Sequence, residues 1–377
     1  MAVSPTSLLS CLASSAVLTV LAWAVIKKDS ILKIAGKYIC IFLTVIVLRM
    51  LLPVEFGFTV TFLSRHVMTC LRDMMFFTIN FGTFDITVGQ ILLFLWIAGA
   101  AAGFFIRTGR YIYFTYFIEK CPGYFRYNME AVISRINGEY RKAGKFEVLF
   151  VPNIQAPAVF GLVRPKILMP GTAYTEEEIY YILKHEMLHY YRHDMLVKIL
   201  CEILCTIYWW NPAVFLLRKL ISRMLEIRVD CLLTSEFSGE EKIRYLECII
   251  KSMKAAKERE AALMIPFAAQ KQGIMMQRFQ CVLENHWVHN RRKGFAVAAC
   301  SCLLFILSVS FIVEPWYGAD VPGTFGYPDP ETSYLIEKDG VYEVYVDGEL
   351  VGEVFEITEP ITELKIYKNK EDLQNEN

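Results

Sequence analysis

Residues 182–194 read Ile-Leu-Lys-His-Glu-Met-Leu-His-Tyr-Tyr-Arg-His-Asp. His185 and His189 are four apart, so on a helix they stand one above the other on the same face. Two imidazoles placed that way can hold one Zn²⁺ at ~2.0–2.1 Å. Glu186, next to the first ligand, can reach water at that ion, which is the logic of HExxH: two ligands and one base on one face. The local sequence supports a helix. Thr175 reads as its N-cap with Glu178 three residues on, a capping box. Ile182, Leu183 and Leu188 supply an apolar face. The helix is expected to run on through Asp194 into the apolar stretch MLVKILCEILCTIYWW.

A catalytic zinc needs a third protein ligand and an open position. His193 is excluded by geometry, since eight helical residues separate it from His185 by ~12 Å. Asn211-Pro212 should end the long helix, because proline disfavours helix in the residue before it. A second helix is expected from about Ala213 to Thr234, turned back against the first. It carries Glu226-Ile227-Arg228-Val229-Asp230. Glu226 is the candidate third ligand; taken alone it reads equally well as part of a solvated face. Asp230, one turn later, is placed to hold a ligand imidazole N–H. In the resulting reaction Glu186 is the base, and zinc activates water and polarises a peptide carbonyl.

Upstream lie a helical pattern, Tyr127 to Lys142, and two extended runs, Phe146 to Val151 and Ala158 to Met169. The second run precedes the HExxH helix. Its edge, at Phe160, Gly161 and Leu162, is a candidate site for pairing with an extended substrate; plain sheet packing is the alternative. Lys198 and Glu202 make the stretch after Asp194 a poor span, leaving a core helix, a membrane-surface helix or a fifth span.

The chain is 55% hydrophobic and 21% charged, more apolar than the ~45–50% usual in soluble domains. The excess sits in runs. Leu8 to Ile26, Ile86 to Ile106 and Gly294 to Val313 carry no charge, each about 20 residues, enough to cross a ~30 Å hydrocarbon layer. A further span is expected over residues 34–54, with Lys37 and Arg49 near its ends. The first run has no preceding cation and is followed by Lys27 and Lys28, the pattern of an uncleaved anchor rather than a signal peptide. Net charge is zero, yet Glu314 to Asn377 holds 16 acidic residues against 4 lysines. Cationic clusters at residues 27–37, at Arg107 and Arg110, and at residues 291–293 all fall on one side of four spans, which positive-inside counting makes the cytoplasmic side. The N-terminus, the loop from Val54 to Asp85 and the acidic tail then face outward. Phe62 to Phe77 in that loop reads as an interfacial helix or as a cap packed on the spans. None of the eleven cysteines follows Cys302, so that tail holds no disulfide. The tail reads as strands: VYEVYV, Asp347-Gly348 and ELVGEVFEI form a hairpin signal, ITELKIY offers a third strand, and residues 369–377 are expected to be disordered.

The chain resembles the BlaR/MecR family of membrane antirepressor metallopeptidases. The resemblance rests on Phe160 to Pro170 (FGLVRPKILMP), Ile182 to Asp194, Trp210-Asn211-Pro212 and Leu225 to Cys231 (LEIRVDC), in one order between spans three and four. It implies that Glu226 is the third zinc ligand, and a cytosolic winged-helix repressor, or the chain itself, as substrate. Gly273 to Lys293 is a candidate self-cleavage segment. Glu314 to Asn377 has no Ser-x-x-Lys acylation motif, so the resemblance carries over the chemistry and not a penicillin-binding sensor. The expected fold is mainly α: a polytopic membrane protein with four transmembrane helices (8–26, 34–54, 86–106, 294–313). A cytosolic α+β zincin, gluzincin-like, spans 107–293, and a small extracytoplasmic β tail spans 314–377. Expected partners are that substrate and the lipid bilayer, with no direct nucleic acid and a homodimer left open. The competing readings are a catalytically silent membrane sensor or scaffold and a membrane-protein quality-control metallopeptidase.

Overall fold

The first two apolar runs form helices. In the computed structural model α1 (Pro5–Lys27) and α2 (Gly36–Leu51) form an antiparallel pair: the Ser7 hydroxyl donates to the Pro53 carbonyl at 2.9 Å, and the Cys11 thiol to the Arg49 carbonyl at 2.9 Å. The structure describes residues 5–27, 36–53, 57–64, 66–81, 84–120, 125–127, 129–151, 154, 156–261, 268–284, 291–315, 333–338, 341–346, 348–354, 357, 361 and 364–367. Two compact units emerge, one of Met1–Glu55 with Leu95–Val309, the other of Phe56–Phe94 with Ser310–Asn377.

The second unit begins with β1 (Val60–Ser64), α3 (Val67–Phe76), β2 (Thr78–Phe81) and β3 (Phe84–Thr87). The Phe62–Phe77 segment is thus a strand followed by a short helix rather than one helix. At Thr87 the hydroxyl accepts from the Gln90 N–H (3.2 Å) and the Gln90 side chain from the Thr87 N–H (3.0 Å). This capping box starts α4 (Val88–Lys120). The expected span 86–106 therefore begins two residues late. It also runs on past Ile106 to 33 residues, about 50 Å long.

Among the described residues, two helices are long and apolar enough to cross a membrane, Thr6–Ile26 and Val88–Lys120; Tyr38–Leu51 and Phe295–Ser310 are shorter apolar helices. The expected span 294–313 differs most. α11 (Arg291–Ser310) stops at Ser310, and Phe311–Pro315 forms β8, which pairs in parallel with β1 from Val60↔Phe311 to Ser64↔Pro315. Phe-Ile-Val suits a strand as well as a span, so hydropathy alone could not mark the boundary. The tail sheet runs β11-β10-β9-β12. β9 (Ser333–Lys338) was not expected. β10 (Val341–Val346) and β11 (Glu349–Val354) form the hairpin, with Gly348 at φ 83°. β12 (Lys365–Tyr367) pairs with β9 in parallel. Asp347, residues 369–377 and residues 285–290 of the candidate self-cleavage segment lie outside the described residues.

In the first unit a four-stranded sheet, order β4-β5-β7-β6, carries the chemistry. It comprises β4 (Phe125–Tyr127), β5 (Glu147–Val151), β6 (Ala158–Phe160) and β7 (Lys166–Pro170). Period-two alternation buries both faces of its centre. Val148, Ile167 and Met169 pack with Ile133 and Ile136 of α5 (Glu130–Tyr140) and with α6 (Glu176–Tyr191). Leu149, Val151 and Leu168 pack on Phe114, Phe117 and Ile118 of α4. The expected helix from Tyr127 thus starts at Glu130, after a strand. The expected run Ala158–Met169 is two strands about a hairpin. Gly161 turns it at φ 92°, where a Cβ would meet the Arg164 carbonyl oxygen at 2.7 Å.

Both hydrogen bonds of the Thr175/Glu178 capping box are present, at 3.2 and 2.7 Å. Replacing Thr175 by Ala should lower stability by about 1 kcal/mol, read as a fall in the thermal unfolding midpoint in detergent. An unchanged midpoint would mean that packing alone fixes this helix start. The helix does not run through Asp194 as expected. It ends at Tyr191; His193 adopts a left-handed conformation, φ 58°, and α7 (Asp194–Ile207) starts afresh. The Asn211 side chain then caps α8 (Pro212–Leu233), accepting from the Ala213 N–H at 2.9 Å. α9 (Gly239–Ala261) and α10 (Ala268–Glu284) complete the unit with α11.

Candidate metal centre

α6 supplies His185, Glu186 and His189; α8, packed against it, supplies Glu226 and Asp230. The two histidine Nε2 atoms lie 3.0 Å apart. Glu226 Oε2 is 3.5 Å from the first and Oε1 3.6 Å from the second. Bonds near 2.05 Å in a tetrahedron put ligand atoms about 3.3 Å apart, so this donor set fits zinc. Among the described residues it is the one group of three metal-capable side chains drawn together, all within 4.8 Å.

What holds the imidazoles was only partly anticipated. Asp194, at the start of α7, accepts from His189 Nδ1 at 2.7 Å and also bonds Arg228. His185 Nδ1 lies 2.9 Å from the Tyr245 hydroxyl of α9, which donates to Asp230 Oδ1 at 2.7 Å. A phenol donating its one proton to Asp230 must accept from His185, so Nδ1 carries the hydrogen and the Nε2 lone pair faces Glu226. Asp230 therefore acts through Tyr245, with its own Oδ1 3.4 Å from His185 Nδ1, rather than gripping an imidazole directly as expected. Arg278 of α10 closes the chain, reaching Asp230 with Nε (2.6 Å) and Nη2 (2.9 Å) and lying 3.7 Å from Glu226.

The charges are balanced inside the cluster. Burial opposes a charged His189, yet its hydrogen bonds to Asp194 and Glu226 outweigh this and push its pKa up to about 10. Burial likewise opposes an ionised Glu226, but the adjacent imidazoles and the nearby Arg278 hold its carboxyl well below the usual carboxylate range. Burial and the Asp230 charge keep Tyr245 protonated, well above the ordinary phenol.

Glu186 lies beside the cluster, and its Oε2 accepts from the Val159 N–H of edge strand β6 at 2.9 Å. A cavity of about 160 Å³ is lined by His185, Glu186 and Glu226, by Tyr181 and Ile182 of α6, and by Cys248, Ile249, Ser252 and Met253 of α9. At the strand it meets Ala156 and Pro157. The expected substrate residues do not line it. The Phe160 ring packs on Tyr111 and Phe114, centroids 5.2 and 5.4 Å apart. Gly161 forms the turn, and the Leu162 carbonyl accepts from the Tyr190 hydroxyl at 3.0 Å. Exposed His193 stays outside the cluster. Asp194, Tyr245, Arg278 and the α9 wall were missed. Asp194 alone had a local signal, five residues beyond His189; Tyr245 and Arg278 are joined only by the tertiary fold.

A profile of the family described as BlaR1 peptidase M56 matches residues 78–282, more than half of the 377-residue chain. The regulatory protein BlaR1 of Bacillus licheniformis is 31% identical over 115 residues, 30% of this chain and 19% of that protein. The methicillin resistance mecR1 protein of Staphylococcus aureus is 27% identical over 185 residues, 48% of this chain and 31% of that protein. The chain thus aligns with under a third of the length of either relative. With a family match centred on the HExxH helix and the helix that carries Glu226, this chain belongs to the BlaR1 peptidase M56 family.

Proposed function

We propose that the chain is a membrane zinc endopeptidase of the antirepressor type, cutting a peptide bond in a cytosolic regulator, in itself, or in both. One observation carries the reading: His185, His189 and Glu226 converge at zinc-ligand spacing beside Glu186, in a cleft bordered by a strand edge. The names of the relatives, a regulatory protein and a resistance protein, support a signalling role, and the resemblance points to a winged-helix repressor as substrate.

Zinc held by His185, His189 and Glu226 would supply Lewis acidity to a peptide carbonyl and to the attacking water. The protein does the rest. Asp194 and Tyr245 fix the two imidazoles with their Nε2 lone pairs inward. Glu186 accepts a proton from water as the oxygen adds to the carbonyl carbon, then returns it to the departing amide nitrogen. Val159 offers its N–H on the free side of β6, and an extended peptide laid along that edge would share it with Glu186.

The test is metal content with cleavage. Full-length protein in detergent should bind one zinc, lose autocleavage on chelation and regain it with zinc, while Glu226→Ala should bind zinc at least ~100-fold more weakly, beyond the 10–100-fold effects of outer partners. Because zinc requires His189 neutral and the free site holds it protonated up to about pH 10, apparent affinity should rise with pH across neutrality. N-terminal labelling of cells carrying wild type or Glu186→Gln would find the substrate. Stoichiometric zinc with no new N-terminus in either experiment would leave a silent metal protein and overturn the proposal.

A further inference from the structure

The fate of α7 is not given by the active site. Its inner face is core: Cys201, Leu204, Cys205 and Tyr208 are buried in one cluster with Val214, Leu217, Leu220 and Ile221 of α8, the helix on which α7 packs and which itself packs on α1 and α2. Its ends can be located along that pair. The Tyr208 hydroxyl donates to the Met50 carbonyl at 3.0 Å, in the last turn of α2. Cys11 bonds the Arg49 carbonyl, so Ile26, fifteen residues along α1, lies about 22 Å away at the opposite end. There the Gln277 side chain donates to the Ile26 carbonyl at 3.4 Å and bonds Arg223 of α8. From Arg223 back to Pro212 is eleven helical residues, about 17 Å. The α7–α8 hairpin thus reaches from the Ile26 end of the pair to the Met50 end, with Asn211-Pro212 at its tip.

The outer face of α7 is a stripe of large apolar residues at helical spacing. Leu196, Ile199 and Ile203 are 52%, 41% and 48% exposed, and Trp209 and Trp210 beyond the helix 40% and 50%. Charge flanks it, with the Glu202 and Lys198 side chains half-exposed. Glu202 pairs with Arg107 (3.0 Å) and Arg218 (2.8 Å), Asp194 with His189 and Arg228, and Lys198 sits at the metal end, 3.9 Å from Glu226. The stripe is continuous with α4. Trp96 Nε1 donates to the Ile207 carbonyl (2.7 Å) and Trp209 Nε1 to the Trp96 carbonyl (3.2 Å). Trp209 lies so close on Gly99 that a Cβ there would be 2.2 Å from it. Beside it Ile97, Phe104 and Phe105 of α4 are exposed as well. An apolar surface of this extent, with Glu202 at its flank paired to two arginines, suits hydrocarbon rather than water.

We infer that α7 and the first half of α8 form a hairpin dipping into the lipid bilayer beside α1, α2 and α4, its stripe against acyl chains. Its base carries Asp194, so the metal cluster sits at the membrane surface, and only peptide bonds brought to that surface are within reach. The inference rests on α1, α2 and α4 lying in the membrane, not on proteolysis.

The test places a benzophenone side chain at Ile199, Ile203 or Trp210 of full-length Glu186→Gln protein, in vesicles of phosphatidylethanolamine and phosphatidylglycerol. Phe104 serves as the α4 reference and Val163, 89% exposed on a hairpin loop, as the aqueous one. After irradiation, mass spectrometry should find phospholipid adducts at Ile203 and Trp210 at the Phe104 level, about tenfold or more above Val163, given the absence of water from the hydrocarbon. Adducts to a second copy of the chain would make the stripe a protein interface and overturn the inference. Labelling of Phe104 without Ile199, Ile203 or Trp210 would put the stripe in water. Failure at Phe104 as well would remove the membrane frame on which the hairpin depends.

Discussion

Glu186→Gln should retain zinc and lose proteolysis. The amide matches the carboxylate in size, and its carbonyl can still accept from the Val159 N–H, the bond Glu186 makes at 2.9 Å. The fold of α6 and the candidate ligands His185 and His189 on either side of it should therefore be undisturbed. What the amide cannot do is take a proton from water and deliver it to the leaving nitrogen. General acid–base catalysis of this kind is worth about 10²–10⁴ in rate, or roughly 3–5.5 kcal/mol of barrier. The loss should fall on kcat with KM little changed, since the role proposed for Glu186 is exerted in the transition state rather than on the bound peptide. Autocleavage and any cleavage of a repressor should fall together, while zinc content stays at the wild-type ratio. Undiminished cleavage by the variant would remove Glu186 from the mechanism; loss of zinc along with cleavage would make it a structural residue.

The parts of this site readable in the sequence are those set by spacing along one element. His185 and His189 share a helix face by the i, i+4 rule, Thr175 and Glu178 meet by the i, i+3 rule, and Asn211-Pro212 stops one helix and caps the next. Thr87 and Gln90 obey the same capping rule, but the expected start at Ile86 did not use it. The break at Arg192-His193 was not. It contains no glycine or proline, and a histidine at φ 58° belongs to a minority that propensity does not single out. Yet that break turns Asp194 back onto His189. The partners of His185 lie further off still: Tyr245 is 60 residues away, and Arg278 is 48 from the Asp230 it holds. Such pairs depend on which faces of α8, α9 and α10 meet, and single-sequence periodicity records only that each helix has a face. At the membrane the ambiguity is different. Apolar composition marks Phe311–Val313 equally for span and strand, and only pairing with Val60–Phe62 decides.

Arg278→Met should be the most damaging substitution away from the ligands. Asp230 is fully buried and accepts from two nitrogens of Arg278 and from Tyr245. Methionine fills much of the arginine stem but leaves the carboxylate without a cation, and an uncompensated buried charge costs about 3–5 kcal/mol. A second effect follows along the hydrogen-bond chain. Asp230 orients Tyr245, and Tyr245 orients His185, so zinc affinity should fall about 10–100-fold, as for other outer partners of metal ligands. Arg278→Lys should recover part of the stability but not the two-pronged grip, because an ammonium is a point donor. The double variant Arg278→Met/Asp230→Asn separates the two effects. Neutralising Asp230 removes the stranded charge, so unfolding in detergent should return most of the way towards wild type. Zinc competition against a chelator should stay weak, because a carboxamide at position 230, with no arginine behind it, no longer fixes the tyrosine as a donor. If the single variant unfolds like wild type, Asp230 has another partner and the chain from Arg278 to His185 is not what aligns the metal ligand.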